Sequence, residues 1–267
     1  YNSSKTASLS VRLTLKQLAG SVGLSFRWLW SLIEGWWHPQ TDLGFCRKKT
    51  TKGTFQVPFF IRLGDRDMGL LFDAATAWNA LQDTTYELLL GRGKNSTLLT
   101  ITFCADEFWH LVGMQHVDDV DFRLNRAELR GSKFLSKVLT KKVNDELITK
   151  TAEWDKIQGR LECLIAIESI FDSDFLIFNF NYENVPHGTM IAAKYVIKDQ
   201  QSGATYFVFL DTDKQRWFCK SALRLRTADF SENQSRMTVL KKIKKKGGVI
   251  KIDYTHPHYD PSKGNNK

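Results

Sequence analysis

The hydrophobic period changes part-way along this chain, and that change limits the fold more than any other feature. From Asp155 to Phe171 the spacing is three/four: Trp154, Ile157, Leu161, Leu164 and Glu168 fall on one helical face, which Ile165 and Phe171 widen. From Phe175 onward the pattern becomes short β-type runs separated by polar turns. Phe175–Phe180, Thr189–Lys198, Ala204–Leu210 and Gln215–Lys220 read as strands, with Gln200-Gln201-Ser202-Gly203 and Asp211-Thr212-Asp213 as turns. The lysine-rich run Lys241–Lys246 is expected to close the sheet. Helices followed by an antiparallel meander give the α+β class.

The first half is less regular. Ala77 to Leu90 carries a helical pattern through Trp78, Leu81, Thr85, Leu88 and Leu89, ended by Gly91 and Gly93. Leu98–Phe103 is a short β-type run, and Asp106–Leu111 reads as a helix stopped near Gly113. Further upstream, residues 14–39 suit two short helices joined at Gly23-Leu24-Ser25, with Ser25 as the second cap. This layout resembles the helix-turn-helix of the Cro/phage-repressor type. Trp28 and Trp30 stand where polar base readers belong, so a DNA reader, a structural cap and a membrane-surface helix all stay open. The abrupt opening of this segment suggests an incomplete end. The expected organisation is a helical segment over 1–40, a linker with an edge strand over 41–76, a main domain over 77–246 and a flexible tail over 247–267.

Composition narrows the partners. The chain has 267 residues, 42% of them apolar, enough for one large domain or two modest ones. The net charge is +9, yet Lys214 to Lys251 alone holds twelve Lys or Arg against two acids, a local +10. The remainder is close to neutral, so the basic third points to a polyanion, nucleic acid first. Cys46, Cys104, Cys163 and Cys219 are scattered and form no C-x-x-C pair, which argues against a zinc site and a disulfide framework. No apolar run reaches the roughly 20 residues of a membrane span. No secretory leader pattern opens the chain. A cytoplasmic protein with no membrane partner, metal or cofactor is the expectation.

Metal-free RNA cleavage needs a base for the 2′-hydroxyl proton, an acid for the leaving 5′-oxygen and cations around the phosphorus-bound oxygens. Histidine suits the proton work, and Arg or Lys the charge work. His110 and His116 are six apart and would face differently on one helix, but Gly113 can end that helix between them and let both converge. Arg160 borders the buried stripe of its helix, so its head must be paired or led to a cleft. The blander readings are one packed and one solvated histidine, an Arg160 paired with Asp155 or Glu162, Ser221 as a turn residue and Lys220 as a solvated charge. His187, His256 and His258 read as bystanders.

The string F-W-H-L-V-G-M-Q-H-V-D-D at 108–119 resembles the signature of the phage-type barnase–EndoU–colicin–RelE-like (BECR) nucleases, in their fourth phage class. The likeness continues in order through the helix with Arg160-Leu161, the run from Gly188 to Ala193, Tyr206–Leu210, Trp217–Ser221 and Val239–Ile243, covering roughly residues 78–246. The family often has Lys after the second histidine, where this chain has Val117. The resemblance implies helices packed on a four- to five-stranded antiparallel sheet and a metal-free ribonuclease site, in proteins similar to toxins of phages and mobile elements. Carried over residue by residue, His110 and His116 are the acid/base candidates, Arg160 meets the phosphate, and Lys220 and Ser221 hold the phosphate or transition state. Thr189, Tyr195, Arg216, Trp217, Arg224, Lys241 and Lys242 are expected to bind RNA. An antitoxin or immunity protein is a further partner this reading leaves room for. The competing expectation is a catalytically inactive DNA- or RNA-binding regulator that uses its N-terminal helices.

Overall fold

The computed structural model describes residues 69–117, 129–213 and 216–260. The helix-turn-helix-like segment and most of the expected linker lie outside the described residues. Elements run in the order α1 (Leu70–Asn79), β1 (Thr84–Arg92), β2 (Asn95–Thr102), α2 (Glu107–Val112), α3 (Ser132–Leu139), α4 (Glu146–Thr149), α5 (Trp154–Ile165), α6 (Ile167–Asp172), β3 (Leu176–Asn179), β4 (Tyr195–Gln201), β5 (Ala204–Asp213), β6 (Arg216–Arg224), β7 (Ser235–Lys246) and β8 (Val249–Thr255).

The sheet is a closed, mixed barrel and not the four- to five-stranded antiparallel sheet under helices that the sequence led us to expect. Seven strands follow one another as β1-β2-β6-β5-β4-β3-β7, and β7 pairs back onto β1. The β2–β6 contact is parallel and is made at Ile101 and Trp217; the other pairings are antiparallel. An eighth strand, β8, lies along β7. Only the meander β4-β5-β6 matches the expected pairing.

Two misread segments account for the difference. The helical pattern over Ala77–Leu90 belongs to two elements. Its second part is β1, where Thr84, Tyr86, Leu88 and Leu90 are buried and their neighbours are not. The leucine run Leu88-Leu89-Leu90 satisfies both periods, and pairing with β2 and β7 decides for the strand. The residues after Gly247, read as a loose tail, form β8. Closure removes exposed strand edges, which favours these pairings over an open sheet.

Smaller corrections follow. The expected helix from Asp155 to Phe171 breaks at Ala166 into α5 and α6. The strand expected from Thr189 starts at Tyr195. Asp211–Asp213 is strand, not turn. As expected, α2 ends at Gly113, whose φ of 93° is left-handed.

One buried cluster joins the helices to a face of the sheet. Within it α5 contributes Ile157, Leu161, Cys163 and Leu164, all at most 1% exposed. Each large aliphatic side chain there is worth about 1.5–3 kcal/mol of burial. A second cluster, including Phe178, Val196, Phe207 and Phe209, covers the other face of β3, β4 and β5. Val117 belongs to the first cluster at 3% exposure.

The strand period also disposes of the lysine run. Lys242, Lys244 and Lys246 of β7 all face α6. Lys242 Nζ donates to the carbonyls of Phe171 and Ser173, at 3.0 and 2.7 Å. Lys244 pairs with Glu168 and Asp172, and Lys246 with Glu168. On the opposite face Lys245 pairs with Glu87.

Candidate functional site

Helix α5 is held by its apolar stripe against α1 and β6, and this places Arg160 under the C-terminal end of α2. The guanidinium Nη1 donates to the Leu111 carbonyl at 3.4 Å and to Ser221 Oγ at 3.2 Å. Its Cδ lies 3.1 Å from where a Cβ on Gly113 would sit, so only a glycine fits over it without displacement. Burial pulls the Arg160 pKa below the ordinary arginine value. Among the described residues no carboxylate forms an ion pair with it. Of its expected helix-surface partners, Glu162 pairs instead with Arg224 at 2.6 Å, and Asp155 forms no ion pair with it.

Arg160 opens into a recess of about 320 Å³ lined by Gly113, His116, Glu153, Lys156, Ile157 and Arg160 itself. Lys156 and Glu153 pair with each other there at 2.8 Å. A second recess, of about 650 Å³, is lined by Glu107, Trp109, His110, Gln115 and Arg130 among others. The two recesses share no lining residue, and the short turn after α2 contributes a residue to each. Gln115 lines the His110 side, and its amide Nε2 is 3.2 Å from Nε2 of His116, which lines the Arg160 side. Burial first, then the charge of Arg130 and of His116, lowers the pKa of His110 and favours its neutral form.

The model of the phage-Barnase-EndoU-ColicinE5/D-RelE like nuclease4 family matches residues 70–255. The chain belongs to this family. No curated protein and no solved structure matches it.

The BECR domain brings together only part of the expected set. His116 and Arg160 line one recess, and Ser221 accepts from Arg160; His110 lines the other recess, which shares no residue with the first. Lys220 does not join them. Strand neighbours face opposite ways, so Ser221 is buried toward Arg160 while Lys220 is exposed and pairs with Asp211 at 2.6 Å. The expected RNA contacts are dispersed. Tyr195 is buried and its ring lies against Trp217, over which Lys194 also sits. Thr189 Oγ1 accepts from the Ile191 amide. Arg224 is engaged by Glu162, Lys242 is 3% exposed, and Lys241 is half-buried on β7. Arg216 pairs with Glu107 at 2.8 Å, behind the His110 recess.

Charged residues of these recesses went unread in the sequence, among them Glu107, Arg130 and Lys156. Glu107 sits three residues before His110, a spacing that puts both on one helical face, and this signal was available. Arg130 reaches the recess from a separate segment, over the Trp109 ring at 5.9 Å. Lys156 was one more solvated helix charge until α5 was docked.

Proposed function

We propose that this BECR-family domain is a metal-independent endoribonuclease, acting in the cytoplasm as a toxin of a phage or mobile element. The observation that carries the reading is Arg160: a largely buried guanidinium, without a carboxylate partner among the described residues, facing an open recess that His116 also lines. A buried cation calls for an anion, and a phosphodiester supplies one with the planar, two-oxygen geometry that arginine matches.

His110, kept neutral, takes the proton of the 2′-hydroxyl. The 2′-oxygen attacks phosphorus, the bond to the 5′-oxygen breaks, and a cyclic phosphate and a 5′-hydroxyl result. Arg160, fixed by Leu111 and Ser221, meets the charge that grows on the phosphate oxygens. His116 and Lys156 line the same recess and add positive charge there, or a proton for the leaving oxygen. An immunity or antitoxin protein would act by covering the two recesses.

The test is incubation of the chain with total RNA in the presence of a chelator. His110→Ala and Arg160→Met should abolish cleavage, whereas Lys220→Ala should leave it within about threefold, as a surface substitution would. Cleavage that survives both of the first two substitutions, or that needs an added metal ion, refutes the reading.

A further inference from the structure

Glu107 is the one carboxylate side chain of α2's first turn that is turned inward. Its side chain is 11% exposed, at the base of the recess that His110 lines. Its Oε2 takes a long 3.4 Å bond from the Cys104 amide. Its Oε1 lies 2.8 Å from Arg216 Nη1 yet has no aligned hydrogen-bond donor, and that same nitrogen donates to Cys104 Sγ. The ion pair favours the carboxylate, but burial opposes it, because one charged partner and one long hydrogen bond replace water incompletely.

The charged surroundings are mixed. Arg216 faces Glu107 from β6, Asp106 and Cys104 flank it on its own segment, and His110, Arg130 and Lys133 stand around the recess. Burial dominates and pushes the Glu107 carboxyl up to about 7 in spite of Arg216. His110 moves the other way. Two neighbouring groups driven apart in this manner form an acid and a base at neutral pH.

We propose that Glu107 is a catalytic residue of the ribonuclease site, the acid that protonates the leaving 5′-oxygen while His110 accepts the 2′-hydroxyl proton. This deepens the reading given above and rests on it. The proton balance closes. The 2′-hydroxyl proton passes to His110, the 2′-oxygen–phosphorus bond forms as the phosphorus–5′-oxygen bond breaks, and the 5′-oxygen takes the Glu107 proton. Water then returns a proton from the imidazolium to the carboxylate. His116 is thereby left to act with Arg160 and Lys156 on the phosphate.

The experiment compares wild type, Glu107→Gln and His110→Ala on two RNA substrates, one natural and one with sulfur replacing the bridging 5′-oxygen at the cut. A thiolate leaves without a proton, so it needs no acid. On natural RNA Glu107→Gln should lose about 10²–10⁴-fold in kcat/KM, the range of general acid catalysis, and should lose the fall in rate that wild type has above pH of about 7. On the sulfur substrate Glu107→Gln should recover to within about tenfold of wild type, and His110→Ala should not recover. A Glu107→Gln enzyme equally impaired on both substrates overturns the assignment in favour of a structural ion pair. Full activity of Glu107→Gln beside a dead His110→Ala overturns it and leaves the nuclease reading standing. A wild-type chain that cuts neither substrate sinks both.

Discussion

Two groups of cations in this molecule have opposite fates. The β7 lysines are the densest positive run in the sequence, yet four of the five between Lys241 and Lys246 are engaged by protein oxygens: Lys242 by carbonyls, Lys244 and Lys246 by α6 carboxylates, Lys245 by Glu87. Arg160 is one of two cations in α5, and it faces a recess without an ion-paired carboxylate among the described residues. Positive charge in a sequence becomes a binding site only where the fold leaves it unneutralised. The lysines hold the barrel to its helix; under the proposed function the arginine takes a phosphate.

The contrast can be broken at several points. The largest effect is expected from Arg160→Lys. It keeps the charge but loses the forked donors fixed by Leu111 and Ser221, so RNA cleavage should fall about 10²–10³-fold in initial rate with unchanged circular dichroism. Near-wild-type cleavage would erase the distinction between the two groups. Gly113→Ala comes next. It asks an L-residue for a left-handed φ of 93° and presses a methyl onto Arg160. It should cost about 1–2 kcal/mol in urea unfolding and reduce cleavage by more than the unfolded fraction explains. Lys244→Met should do the reverse, lowering unfolding free energy by about 1 kcal/mol while cleavage stays within about threefold. A large loss of cleavage there would mean that the lysine run also serves RNA.

The smallest effect is a pH signature that differs between the regions. Glu107 has a raised folded value, about 7 against 4.5, so its contribution to stability is complete below about 4.5 and fades as pH rises through 7. At Glu168 burial pushes up, but hydrogen bonds from Lys244 and Lys246 outweigh it and hold the carboxyl below its ordinary value. Its contribution is present above the ordinary carboxylate range and is lost as pH falls through the lowered value. Urea midpoints should therefore drop modestly between pH of about 5 and about 8 in wild type and not in Glu107→Gln, whereas Glu168→Gln should flatten only the acid side. Identical profiles for both variants would show that the two regions are not electrostatically distinct.

Much of the site could be read from residues close together along the chain. The α2 helix, its stop at Gly113, the turn that carries His116, and the half-buried position of Arg160 all follow from local spacing. Glu107 was legible by the same rule, but an acid beside Asp106 on a short helix looks solvated until β6 is packed against it. Ser221 and Lys220 looked equivalent as neighbours, and only the facing of β6 separates them.

The sequence by itself determined the order of the motif-bearing elements, the family, and a stripe on α5 that must be buried beside a cation. Tertiary structure alone decided that the strands close into a barrel and which charges that closure neutralises. The reason is one of range. Helical periodicity and glycine stops act within a few residues, while strand partners and ion pairs are chosen across 70 to 160 residues of chain, as between Asp172 and Lys244 or Glu87 and Lys245. At that range the same letters allow several pairings, and the burial of the whole core selects among them.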